Sequence, residues 1–88
     1  MKLLEIETEV NNVFINVFNF HPERLSEEQK KGSLFKQEIG FSAIDLFVLF
    51  MELENLLQIT FVKEDIIENR FDSYYNIVKA VQNCRGQV

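Results

Sequence analysis

The chain is 88 residues long, 47 % apolar and 26 % charged, with nine phenylalanines and a formal net charge of −5. That size fits one domain near the lower limit for unaided folding, and the apolar content is enough for a core while the charge content argues against disorder. The acidic balance disfavours nucleic acid, the lack of about 18 consecutive apolar residues disfavours a membrane span, and a single Cys84 and a single His21 make no internal disulfide and no zinc site.

Lys30-Lys31 is the one basic pair, and acidic residues precede it, so a partner with a positive surface suits this chain better than a phosphate backbone. The segment Met1 to Glu7 turns acidic too early for a secretory leader, which makes the cytoplasm the expected location.

In chain order, Ile6, Val10, Val13, Phe14, Val17 and Phe18 recur at three- and four-residue spacing and predict a first helix over Leu3 to Phe18. Asn11, Asn12 and Asn16 lower its propensity, so packing must hold it, and His21-Pro22 is expected to end it. Glu23 to Ile39 reads as a long connection. Within it Glu27 to Gly32 is charged and without apolar period, a solvated excursion or short helical turn, and Leu25, Leu34, Phe35 and Ile39 are the expected anchors to the core.

Gly40 to Glu54 is the stretch around which the chain is organised. Ser42 is placed to cap a second helix, with Asp45 in its first turn, and the segment from Ile44 to about Leu57 is apolar enough for a central helix. Leu49, Phe50, Leu53, Leu56 and Leu57 form one broad core stripe, leaving Phe47, Val48 and Met51 partly on another face. Such a helix is either enclosed by its own domain or offered to a partner.

Ile59 to Val62 alternates like a strand but has no second strand to pair with, and is assigned to an extended loop. Lys63 to Glu68 predicts a short third helix. Asp72 or Ser73 caps a fourth, whose buried stripe is Tyr74, Ile77, Val78 and Val81, and Asn83 to Val88 is expected to fray. The fold class is thus all-α, a four-helix bundle in a single domain over residues 1 to 88, with three main helices, a short third one and a long first loop.

With the helices in this order, Gly40, Ile44, Asp45, Phe47, Leu49, Phe50, Leu53 and Glu54 resemble the signature of acyl carrier proteins and their peptidyl carrier relatives. Phe35 stands at the family's loop phenylalanine, Phe61-Val62 at its usual isoleucine-proline, and Asp72-Ser73-Tyr74 at the start of its fourth helix. The resemblance spans essentially the whole chain. It implies an acyl-carrier-type bundle that shuttles thioester-bound intermediates of fatty-acid, polyketide or peptide synthesis and is not itself an enzyme. Its cofactor would be 4'-phosphopantetheine, and its partners a phosphopantetheinyl transferase and acyl-processing enzymes such as a synthase, a transferase or an adenylating enzyme. A monomer is expected.

The departure falls at the working position. The family's attachment serine aligns with Ala43 and the preceding aspartate with Ser42, and alanine has no oxygen on which a phosphodiester can form. Shifting the register to make Ser42 the acceptor would rotate the helix by roughly 100° and throw Phe47, Leu53 and Glu54 off their positions. Two readings follow: a serine-to-alanine change introduced at 43, or a naturally unmodified carrier-like interaction module. By the same resemblance the partner-docking face is Ile44, Phe47, Val48, Met51, Asn55 and Ile66, with Asp45, Glu52 and Glu54 supplying charge. Val48 and Asn55 stand where glutamate is common in the family, so apolar contact is expected to outweigh charge steering. An acyl chain would lie among Leu49, Phe50, Phe61 and Ile66, side chains that otherwise fill the interior.

Overall fold

A computed structural model describes residues 3–61 and 71–85. Within them the chain is helical, with α1 over Leu3–Phe18, a 3-10 turn over Pro22–Arg24, α2 over Glu27–Lys31, α3 over Ala43–Leu57 and α4 over Tyr74–Arg85. No strand occurs among the described residues; the one extended pairing is an isolated antiparallel bridge between Ser33 and Ser73. The architecture is a small helical bundle, with a radius of gyration of 12.0 Å. Val62, the predicted third helix and Ile66 lie outside the described residues, as do residues 86–88.

The periodicity of α1 decides the layout. Ile6, Val10, Val13 and Phe14 are buried on one face, each contributing about 1.5–3 kcal/mol of transfer free energy. This face packs against both α3 and α4, so α1, not the greasier α3, is the central helix. Asn11 costs less than its propensity suggests, because its Oδ1 accepts the Tyr74 hydroxyl at 2.6 Å and ties α1 to α4. Burial, with Glu7 nearby, pushes the Tyr74 phenol up, which keeps it a neutral donor. The helix ends at Phe18, four residues before Pro22: Asn19 turns left-handed at φ 54 and donates its N–H to Ile15 O at 2.9 Å.

The long connection has structure of its own. Ser26 and Gln29 form a reciprocal capping box at the start of α2, a five-residue helix with no buried residue. It lies on α4, where the Tyr75 hydroxyl donates to Glu27 Oε2 at 2.5 Å and the Lys30 ammonium sits 5.8 Å from the Tyr74 ring centroid. Leu34 is fully buried, and Leu25 and Ile39 pack partly against the core as expected. Phe35 does not: it is 46 % exposed, its N–H held by Ser33 Oγ in a turn that points the ring outward from the core.

Helix α4 begins at Ser73, whose buried hydroxyl accepts the Asn76 N–H at 3.2 Å, and it buries Tyr74, Ile77, Val78, Ala80 and Val81. It continues through Asn83 and Cys84, residues expected to fray, and the Cys84 thiol donates to Thr60 O at 3.3 Å. Two aromatic groups flank the core. Phe41 meets Phe14, Phe18 and Phe20 with ring centroids 5.0 to 5.9 Å apart, and Phe50, Phe61 and Phe71 meet one another at 5.0 to 5.7 Å.

Candidate functional site

Gly40 shapes the approach to α3. Its φ of 84° lies in the left-handed region that disfavours any side chain, and its N–H donates to Lys36 O at 2.7 Å. The chain then reverses so that Phe41 drops into the aromatic group beside α1. Ser42 follows in extended backbone and caps the helix reciprocally with Asp45. The Asp45 N–H donates to Ser42 Oγ at 3.2 Å, and the Ser42 N–H donates to Asp45 Oδ2 at 3.0 Å. Ala43 is therefore the first helical residue, and the Asp45 carboxylate sits at the positive end of the helix dipole.

Ala43, Leu46, Phe47 and Phe50 follow the spacing i, i+3, i+4, i+7, one stripe of α3, and with Phe71 from the segment before α4 they line an open apolar cleft of about 360 Å³. No ionisable side chain is among these five residues. The cleft can hold a slender apolar group, and its lining among the described residues is apolar. Ala43 lies at the helix-start end of the stripe and shares the cleft with two phenylalanine rings from α3 and a third from beyond it.

Around the helix from this stripe, Ile44, Phe47 and Met51 are 75 %, 64 % and 52 % exposed, with Val48 half-buried between them. These four residues share a second stripe at the same spacing, and Phe47 borders both. Val48, expected partly on another face than the core stripe, is neither free nor enclosed. The charges of α3 are all negative, from Asp45, Glu52 and Glu54. Glu54 is not offered outward as the docking pattern implies: its Oε2 accepts the Phe61 N–H at 3.0 Å, and its carbonyl accepts Gln58 and Ile59 N–H groups at the helix end. Gln58, left-handed at φ 55, completes that stop. Asn55 is exposed, and its carbonyl accepts the Gln58 side-chain amide.

The expected core stripe of α3 needs one exchange. Leu49 and Leu53 are buried and Phe50 and Leu57 partly so, but Leu56 is 50 % exposed while Leu46 takes the inward position. Of the residues expected to surround an acyl chain, Leu49, Phe50 and Phe61 are described and Ile66 lies outside the described residues. Leu49 and Phe61 are core, and the open cleft is formed by Leu46, Phe47 and Phe71 with Phe50. The signal for the α3 half was present in the sequence as the 43-46-47-50 spacing. Phe71 carried none, because nothing local says which aromatic of a distant segment closes a cleft.

A phosphopantetheine arm does not fit this site covalently. The side chain at 43 is a methyl group, and the one hydroxyl beside it, Ser42 Oγ, is held by the helix cap. Among the described residues no three His, Cys, Asp or Glu side chains converge as a metal site, and no helix is long and apolar enough to cross a membrane. No protein-family model, curated protein or solved structure matches the chain.

Proposed function

We propose that this chain is a carrier-protein-type module, a discrete acyl carrier scaffold that offers the outer stripe of α3 to acyl-processing enzymes and whose attachment position is silenced at Ala43. The observation that carries the reading is the reciprocal Ser42–Asp45 cap. It makes Ala43 the first residue of α3, at the mouth of an apolar cleft, which is where a tethered apolar group would need to start. On this reading the work of the protein is presentation, and the helix start, the exposed stripe and the cleft are its three parts.

The test is to restore the missing oxygen. An Ala43→Ser variant incubated with coenzyme A and a phosphopantetheinyl transferase is expected to gain the mass of the arm by intact mass spectrometry, and the unchanged chain is expected to gain none. A folded Ala43→Ser variant that stays unmodified counts against the carrier reading. The second reading is a naturally unmodified interaction module, favoured by the methyl group at 43 together with the exposed Ile44, Phe47 and Met51. It keeps the docking stripe and drops the cargo, so an unmodified Ala43→Ser variant is the outcome it expects.

A further inference from the structure

The walls of the Ala43 cleft come from segments far apart in sequence, α3 on one side and Phe71 on the other. One residue of the first connection is bonded to a chain neighbour of each wall. Leu34 donates its N–H to Asp72 O at 2.7 Å and accepts the Phe41 N–H on its own carbonyl at 3.1 Å. Asp72 directly follows Phe71, and Phe41 stands directly before the Ser42 cap. Beside it, Ser33 pairs with Ser73, the residue that caps α4.

We propose that the Leu34 peptide is a clasp that sets the width of the cleft between α3 and Phe71. Two hydrogen bonds in series span from the start of one wall to the foot of the other. The Leu34 side chain is fully buried, which keeps the peptide from sliding along either wall. The left-handed turn at Gly40 returns the chain so that Phe41 meets Leu34 in this register. Breaking one bond strands a donor or acceptor next to a buried side chain, so the clasp opens as a unit and not by degrees. The inference concerns the cleft itself and holds whether or not a cargo is ever attached at 43.

The chain is short enough for total chemical synthesis, which allows single backbone amides to be replaced by esters while every side chain is kept. An ester at residue 34 deletes the donor to Asp72, an ester at 41 deletes the donor to Leu34, and an ester at 36 deletes a loop donor that joins neither wall. The Phe50 and Phe71 rings, both lining the cleft, meet edge to face with centroids 5.7 Å apart, and their cross-relaxation in NMR reads how closely Phe71 is held to α3. The esters at 34 and 41 are each expected to weaken that signal several-fold with helicity unchanged, and the ester at 36 to leave it as in the natural chain. An undiminished Phe50–Phe71 signal in the folded 34 and 41 esters overturns the clasp. Should those esters fail to fold, amide exchange in the natural chain decides: Leu34 and Phe41 exchanging at one common rate, faster than the α1 and α4 core amides, supports it, and exchange of either only with global unfolding overturns it.

Discussion

Helices α3 and α4 divide the labour of the bundle in the opposite sense from their compositions. Apart from Asp45, Glu52, Glu54 and Asn55 every residue of α3 is apolar, yet only Leu46, Leu49 and Leu53 are buried. Helix α4 is interrupted by Asn76, Lys79, Gln82 and Asn83, and it buries Tyr74, Ile77, Val78, Ala80 and Val81. Its flank is also covered, by α2 through the Tyr75–Glu27 hydrogen bond. The difference teaches that the apolar content of α3 exceeds what its own fold consumes. The surplus, Ile44, Phe47 and Met51, lies exposed on one helix face.

The comparison can be broken first by truncation. Replacing Ile77 on α4 with alanine is expected to cost about 2–5 kcal/mol, since its site is fully closed and cannot collapse around the gap. Replacing Ile44 on α3 with alanine is expected to change stability by less than about 0.5 kcal/mol. Urea unfolding followed by circular dichroism measures both, and a comparable loss in the two variants would mean that α3 is enclosed after all. Next come the caps. Ser73→Ala removes a buried hydroxyl and is expected to cost about 1–2 kcal/mol. Ser42→Ala removes an exposed one, keeps the Ser42 N–H to Asp45 bond, and is expected to cost under about 1 kcal/mol by the same titration.

The smallest effect sharpens the cover over α4. The Tyr75 hydroxyl on Glu27 holds that carboxyl below its usual range, and the same bond pushes the Tyr75 phenol up. For Glu27 the sign is that of a lowered acid: its contribution is present above the ordinary value of 4.5 and is lost as pH falls through the lowered folded value. For Tyr75 it is that of a raised phenol, present below 10.0 and lost as pH rises through the raised folded value. Glu27 is exposed and Tyr75 only partly buried, so the effect on global stability is small. With no tryptophan in the chain, the emission of Tyr74 and Tyr75 reads it directly. A change on acidification that Glu27→Gln abolishes is the expected result, with α3 unaffected by circular dichroism.

The sequence was most legible where one signal acted alone. The bounds of α1 follow from a clean period, and the Ser42–Asp45 pair and the α4 stripe follow from local chemistry and spacing. Its phase on α3 was not legible, because a helix apolar on nearly every side satisfies several stripes at once. That is why Leu46 and Leu56 exchange places and why Val48 lies halfway. The stop at Asn19 was missed in favour of Pro22 because a left-handed asparagine ends a helix without any ring. The short helical turn expected of the charged run is α2, solvated as well as helical, and its capping pair Ser26 and Gln29 stands in the sequence. The cleft needed tertiary structure, since Phe71 joins it from a segment that shares no pattern with α3.

Because the helix is started by Ser42 and Asp45, residue 43 carries almost none of the folding burden, and its identity is free to change. Alanine and serine codons of the GCN and TCN sets differ at a single base. In genetic terms the chain stands one point mutation from a hydroxyl at the mouth of the cleft, with little folding cost in either direction. A population of such genes could gain or lose that oxygen repeatedly while the scaffold and the exposed stripe of α3 stayed the same.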